Sequence, residues 1–93
     1  MLIDNWLNDN GIKHEVEKQV PVNRLMYCDW FLPKKEIYVE YWGLMHEEWY
    51  KKARVVKERM YEQAGLELRS IEPEDMRNLD ENLRRIFRDV LDQ

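Results

Sequence analysis

The chain has 93 residues, a length at which a single hydrophobic core is normal, so we expect one domain spanning 1–93. Hydrophobic residues make up 44% and charged residues 37% of the sequence, which excludes a disordered tail or a low-complexity linker. The net charge of −4 argues against a protein that coats nucleic acid nonspecifically, but it leaves room for a small basic face.

The cysteine count and the hydropathy pattern indicate a cytoplasmic protein that does not enter a membrane. One cysteine, Cys28, leaves no internal disulfide and no cysteine-rich zinc site. No apolar run approaches the roughly 20 residues of a membrane span, and residues 1–11 lack the basic and apolar regions of a secretion signal.

The first half of the chain predicts one helix followed by three strands. Residues 2–8 form a short amphipathic segment that a following Asn-Gly pair would end as a helix. Apolar and polar residues alternate over 12–20, which is typical of a strand with one buried face. Two apolar runs, 25–32 and 37–42, predict central strands, and the short connection at 33–36 predicts a hairpin between them.

The second half of the chain predicts a long helix, a fourth strand and a last helix. Residues 45–64 place Trp49, Ala53 and Val56 on one apolar stripe, which we expect to face the core. A strand over 66–71 follows, and Pro73 suits the first turn of the last helix. The predicted order α-β-β-β-α-β-α describes an α/β fold of the α+β type, with a mixed central sheet and one crossover helix.

Two acids interrupt the predicted central strands. Asp29 and Glu40 are each the only charged residue in their strand, and an ionised carboxylate in such surroundings is costly unless it is paired or binds a metal. Both lie equally far from the centre of the hairpin, so they would face each other with Cβ atoms roughly 4.5–5.5 Å apart. Mg²⁺ is the natural cation for oxygen ligands and would offset their repulsion, and a backbone carbonyl near Tyr41 could complete its ligands.

Other arrangements would also accommodate these carboxylates. One carboxyl group could be protonated and hydrogen-bonded to the other, or each could be neutralised by Arg24, Arg69 or a lysine. A one-residue bulge would instead move one of them to the opposite face of the sheet.

The two acids lie within the motifs Cys-Asp-Trp-Phe-Leu-Pro at 28–33 and Ile-Tyr-Val-Glu-Tyr-Trp-Gly at 37–43. These motifs, the opening Gly-Ile-Lys-His-Glu-Val-Glu at 11–17 and the segment 57–75 resemble the PD-(D/E)XK nuclease superfamily. The closest resemblance is to its compact branch, which includes very-short-patch repair endonucleases. The resemblance covers nearly the whole chain and implies a restriction-endonuclease-like α-β-β-β-α-β core with a C-terminal helix. It also implies that Asp29 and Glu40 bind Mg²⁺, for which Mn²⁺ could substitute.

The chain departs from the superfamily's pattern at the catalytic lysine. Trp42 occupies the position of the motif lysine, two residues after Glu40, and Asp4 is the nearest acid to the glutamate that the family often carries on its first helix. A second stripe of the long helix lies beside its apolar stripe and consists of Tyr50, Arg54, Lys57 and Tyr61. The resemblance implies that Lys57 is the displaced catalytic lysine.

Basic residues are concentrated between positions 51 and 59 of this acidic chain. We interpret four of them as candidate nucleic-acid contacts: Lys51, Lys52, Arg54 and Lys57. The alternatives are a solvated helix face, or ion pairs from Arg54 and Lys57 to neighbouring acids such as Glu58 and Glu47.

The resemblance implies a small Mg²⁺-dependent endonuclease that hydrolyses DNA phosphodiester bonds, with RNA as an open alternative substrate. A chain of this size has little room for specificity loops, so selectivity would come from nucleic-acid structure, a larger partner protein or a second copy in a homodimer. The other hypothesis is a catalytically silent nuclease-fold module that binds nucleic acid or protein.

Overall fold

The computed structural model of the chain describes residues 2–92, which form an α+β fold around a four-stranded mixed sheet. The elements in chain order are helix α1 (Leu2–Asp9), strands β1 (Glu15–Val16), β2 (Trp30–Leu32) and β3 (Ile37–Tyr41), helix α2 (Glu48–Gln63), strand β4 (Glu67–Ile71), a 3-10 helix (Pro73–Asn78), and helices α3 (Leu79–Ile86) and α4 (Arg88–Leu91). The predicted α+β class with a mixed sheet is confirmed. The predicted last helix is divided into three helical pieces. Within residues 2–92, no helix is long and apolar enough to cross a membrane.

The sheet has the order β1-β2-β3-β4, and its hairpin positions the two acids. Strands β1, β2 and β3 are antiparallel neighbours, and β4 runs parallel to β3 after the crossover through α2. Trp30 pairs with Val39 and Leu32 with Ile37, which confirms the predicted centre of the hairpin. The same register carried one residue beyond the Trp30 pair places Asp29 opposite Glu40.

Hydrophobic clusters cover both faces of the sheet because successive side chains of a strand point to opposite faces. One cluster joins Trp30 and Val39 to α1 and α3, and the other joins Phe31 and Tyr38 to Tyr61 of α2. Glu40 follows Val39 in β3 and therefore lies on the face that α2 covers. Alternation along β3 thus directs one carboxylate towards the long helix.

The first two strands are shorter than their patterns predict. Of the strand predicted over 12–20, the structure contains only Glu15–Val16, and the rest of that prediction is wrong. Of the strand predicted over 25–32, it contains only Trp30–Leu32, and the rest is also wrong. One isolated bridge between Gln19 and Tyr27 also joins these two segments. The Val20 amide bonds to the carbonyl of Met26, and this contact closes the intervening segment into a turn. The apolar residue Leu25 lies in that turn and is exposed rather than buried.

Helix α2 presents a different face to the sheet from the one its apolar pattern predicts. Trp49 is 62% exposed and Val56 is 47% exposed, so the prediction that their stripe, and Trp49 in particular, belongs to the core is wrong. The neighbouring stripe faces the sheet instead, with Tyr61 fully buried and Lys57 partly buried. This face packs against the sheet because the buried Glu40 carboxylate requires hydrogen-bond donors, and the second stripe supplies them.

Candidate functional site

A cleft of about 350 Å³ lies between the end of β3 and the first three turns of α2. All three predicted catalytic side chains line it: Asp29 from the residue before β2, Glu40 from β3, and Lys57 from α2. Tyr41, whose carbonyl is the predicted third metal ligand, lines the same cleft. Four positions that the sequence singled out therefore meet in one place.

Glu40 is an almost fully buried acid whose charge is balanced by two donors. Its side chain is 3% exposed, and its Oε2 accepts hydrogen bonds from the Tyr61 hydroxyl and the Lys57 amine, each at 2.7 Å. Burial raises the pKa of Glu40 above its ordinary value, the two donors oppose that rise, and the nearby charge of Asp29 adds to it. The sequence analysis left open that a lysine neutralises this acid, and in the structure that lysine is Lys57.

Lys57 connects the acid to a neighbouring loop. Besides Glu40, its amine donates a hydrogen bond of 2.7 Å to the carbonyl of Tyr27. The side chain is 26% exposed, so water reaches the ammonium group while two acceptors fix its position. The amine is thus held at the border between the buried carboxylate and the open cleft.

Asp29 is half-buried and is fixed by the backbone at the end of β3. Its Oδ2 accepts a hydrogen bond of 2.8 Å from the amide of Tyr41, the residue directly after Glu40. This bond keeps the Asp29 carboxylate beside the strand that carries the second acid. The negative charge of Asp29 also contributes to raising the pKa values of Tyr50 and Tyr61, although burial is the larger cause for both.

The two carboxylates offer oxygen donors, the ligand type that a hard divalent cation such as Mg²⁺ prefers. Within residues 2–92, the hydrogen bonds described above engage only Oε2 of Glu40 and Oδ2 of Asp29, so the second oxygen of each carboxylate remains available. The described part of the chain contains no group of three or more His, Cys, Asp or Glu side chains placed to hold a metal. This is compatible with Mg²⁺, which commonly uses one or two carboxylates and takes its other ligands from water and phosphate.

Arg54 reaches the cleft wall but is engaged by acids. Its guanidinium group forms two parallel hydrogen bonds with Glu72, of 2.7 and 2.6 Å, and its Nε lies 3.3 Å from Glu58. These contacts raise the pKa of Arg54 further. The pairing with Glu58 is one that the sequence allowed, whereas Glu72 was not anticipated. A phosphate group approaching Arg54 would have to share it with these acids.

The other two predicted nucleic-acid contacts lie away from the cleft. Lys51 and Lys52 are both exposed, and neither lines the cleft. The Lys51 amine lies 3.2 Å from a carboxylate oxygen of Glu48, a surface ion pair of the kind that contributes little to stability. The structure therefore separates these two lysines from the residues that surround Glu40.

Trp42, which the sequence resemblance aligns with a motif lysine, lines the cleft. The indole ring is buried, and the Arg54 guanidinium carbon lies 4.7 Å from its centre. Among residues 2–92, its Nε1 is the one buried side-chain nitrogen or oxygen that has no hydrogen-bond partner. The ring thus gives the cleft wall a surface that contacts a cation and a donor without a partner among the described residues.

A second cleft of about 350 Å³ adjoins Asp29 and Tyr41 and is also lined by Asp4 and Glu17. Asp4 accepts a hydrogen bond of 2.8 Å from the ring of His14, and this contact is the main cause that lowers the pKa of Asp4. Asp4 is the acid nearest in sequence to the first-helix glutamate that the resemblance implies. It lines the same second cleft as Asp29, but it is already hydrogen-bonded to His14.

Tyr61 and Glu72 are the site residues whose contacts sequence reasoning missed. Tyr61 lies four residues after Lys57 on the same helix stripe, so its position beside Glu40 could have been inferred once Lys57 was chosen. Glu72 lies 18 residues from Arg54 and directly after β4. No local pattern connects that residue to Arg54, because their contact depends on how β4 packs beside β3.

Comparison with known proteins adds no family assignment to this geometry. No family model, curated protein or solved structure matches the chain. The motif residues and the cleft in which Asp29, Glu40 and Lys57 meet are therefore the features that bear on function.

Proposed function

We propose that the chain is a small Mg²⁺-dependent nuclease of the PD-(D/E)XK type that hydrolyses DNA phosphodiester bonds. One observation carries the proposal: Asp29, Glu40 and Lys57 come from three separate segments and line one cleft, with the Lys57 amine 2.7 Å from Glu40. The antiparallel β1-β2-β3 arrangement followed by a parallel β4 supports a restriction-endonuclease-like core.

The chain's own residues would each have a distinct task. Asp29 and Glu40 would hold the cation through their free oxygens, and a cation so bound supplies Lewis-acid activation of water and stabilises charge on the phosphate. Tyr61 orients the Glu40 carboxylate through its hydroxyl. Lys57 would neutralise the phosphate or take a proton from the attacking water, since its amine lies at the cleft border.

The energetics of Glu40 also support a functional site. Burial raises the pKa of this acid, so keeping it ionised in the folded chain lowers stability at neutral pH. A side chain that costs stability and lines a cleft is a typical candidate for a functional group. A neutral residue at this position would avoid that cost, which supports a role for the charge itself.

Cleavage assays on linear, nicked, flap and four-way DNA, with an RNA strand in parallel, test the proposal. We expect the wild-type protein to cleave at least one substrate in Mg²⁺ or Mn²⁺ and none in EDTA. Asp29→Asn, Glu40→Gln and Lys57→Met should each lose the activity while remaining folded. Asp9→Asn is the matched control, because Asp9 is an exposed acid at the end of α1. Cleavage that persists in both carboxylate variants would refute the proposed site.

A catalytically silent module that binds nucleic acid is the second candidate. One observation favours it: Lys57 already balances the charge of Glu40, which lessens the site's attraction for a cation. This candidate predicts DNA binding without cleavage of any substrate. Such binding would be insensitive to Lys57→Ala and weakened by substitution of Lys51 and Lys52.

A further inference from the structure

The exposed apolar stripe of α2 forms one wall of a groove. The opposite wall is the segment 24–27, and the groove has a volume of about 490 Å³. Ala53 and Lys57 line both this groove and the cleft that contains Asp29 and Glu40, so the two spaces adjoin each other. A ligand long enough to extend past Lys57 would therefore reach from the groove to the acids.

Each of these two adjoining spaces has an exposed aromatic ring. Tyr27 lines the groove and is half-exposed, and Trp49 lines the cleft with most of its surface exposed. Trp49 packs edge-on against Tyr50, with ring centres 5.7 Å apart, and the Tyr50 hydroxyl approaches the carbonyl of Tyr41 at 3.4 Å. Trp49 is thus held beside the end of β3 by packing, although its ring remains accessible.

The charges of the groove favour a polyanion. Arg24 and Lys57 are the charged side chains among its lining residues, and both are cationic, with Lys57 paired to Glu40 of the adjoining cleft, whereas the chain as a whole is acidic. Aromatic rings combined with cations in an open groove are what single-stranded nucleic acid requires, since bases stack on the rings while phosphates meet the cations. An apolar protein partner would not require this local reversal of charge.

We propose that the groove and cleft bind an unpaired nucleotide strand, with one base stacked on Trp49 and another on Tyr27. The inference rests on the proposed function and names its substrate class: a single strand, or the single-stranded arm of a branched duplex. Lys57 contributes to both spaces, since its amine bonds to the Tyr27 carbonyl and it lines the same cleft as Trp49. The strand's backbone would thereby pass the carboxylates.

Fluorescence anisotropy with a short labelled oligothymidylate and a blunt duplex of equal length, both in EDTA, tests this proposal. We expect the wild-type protein to bind the single strand at least about tenfold more tightly than the duplex. Trp49→Ala should weaken single-strand binding by about 5- to 100-fold, whereas Trp49→Phe should preserve it within about threefold because a ring remains. Val55→Ala is the matched control, since Val55 is an exposed apolar residue of α2 that lines neither space.

Two results of the binding and association measurements would overturn the inference. One is equal affinity for both probes with no effect of Trp49→Ala. The other is a concentration-dependent dimer that sedimentation equilibrium detects and that the Trp49→Ala substitution dissociates, in a protein that shows no preference for the single-stranded probe. That result would identify a second copy of the chain as the occupant of the groove. Cleavage of blunt duplexes that is independent of Trp49 would also refute the inference but leave the proposed nuclease intact. Single-strand binding through Trp49 without cleavage would refute the nuclease and support the groove.

Discussion

Replacing Lys57 with methionine removes the counterion of a buried acid while keeping most of the side chain's volume. In the wild-type protein the Lys57 amine and the Tyr61 hydroxyl share Oε2 of Glu40. The Lys57→Met variant leaves only the neutral hydroxyl, so Glu40 must remain charged without a cation or take up a proton. Either outcome lowers the free energy of unfolding at neutral pH.

The expected loss is about 2–3 kcal/mol. Breaking a buried ion pair by removing one partner costs about 3–5 kcal/mol when both groups are fully buried. Here Glu40 is fully buried but the Lys57 side chain is 26% exposed, so water screens part of the attraction and the loss falls to the lower end of that range or below it. A loss of this size is a large fraction of the roughly 5–15 kcal/mol that stabilises a typical domain.

Urea unfolding followed by circular dichroism measures this loss. Lys52→Met is the matched control, since Lys52 is an exposed lysine of the same helix and its replacement should change stability by less than about 0.5 kcal/mol. Adding Glu40→Gln to Lys57→Met should restore most of the loss, because the uncompensated charge is then absent. If Lys57→Met were as stable as Lys52→Met at neutral pH, Lys57 would not be balancing the charge of Glu40.

Three further predictions concern the same cleft. The folded-state pKa of Glu40 is raised above its ordinary value of 4.5, so the folded chain binds more protons than the unfolded chain just above that pH. Urea unfolding should therefore show the stability of the wild-type protein falling relative to that of Glu40→Gln as the pH rises from 4.5 to neutrality. A constant difference in stability between the two proteins would contradict the raised pKa. Tyr61→Phe removes a hydrogen bond to a charged acceptor and should lower the free energy of unfolding by about 1.5–2 kcal/mol, with little further loss in a Glu40→Gln background. Arg54→Lys keeps the charge but loses the parallel pair of hydrogen bonds to Glu72. Thermal unfolding should show that the free energy of unfolding falls by about 1 kcal/mol, and that this loss disappears when Glu72 is also replaced by glutamine. An equal loss in both backgrounds would contradict a role for the pairing with Glu72.

The hairpin and its two acids could be predicted from the sequence because their information is local. The apolar runs around Asp29 and Glu40 and the short turn between them fix the pairing of Trp30 with Val39. Each acid is conspicuous because no other charge occurs in its run. Local pattern and turn length were sufficient here, and the structure retains the predicted register.

The orientation of α2 could not be predicted in the same way. Its sequence contains two adjacent stripes, an apolar one that includes Trp49 and a polar one that includes Lys57, and hydropathy alone favours burial of the first. The structure buries the second because Glu40 needs donors, and that requirement becomes visible only when the sheet and the helix are considered together. The need of the buried Glu40 carboxylate for hydrogen-bond donors therefore outweighs the hydrophobic pattern in setting which face of α2 packs on the sheet.

The shortened strands and the partner of Arg54 also depend on tertiary structure. The alternation of residues 12–20 and the apolar run at 25–32 indicate strands, but the turn closed between Val20 and Met26 interrupts their pairing. The contact of Arg54 with Glu72 forms because β4 lies parallel to β3, an arrangement that no short segment specifies. Sequence patterns predicted that Asp29, Glu40 and Lys57 lie together better than they predicted what surrounds those residues.

Binding of Mn²⁺ measured by calorimetric titration tests most directly whether Asp29 and Glu40 form one metal site. We predict that the wild-type protein and Asp9→Asn bind one ion per chain, and that Asp29→Asn and Glu40→Gln each abolish this binding while the variants remain folded. Binding of equal affinity and stoichiometry in both carboxylate variants, or no binding by the wild-type protein, would contradict the proposed site.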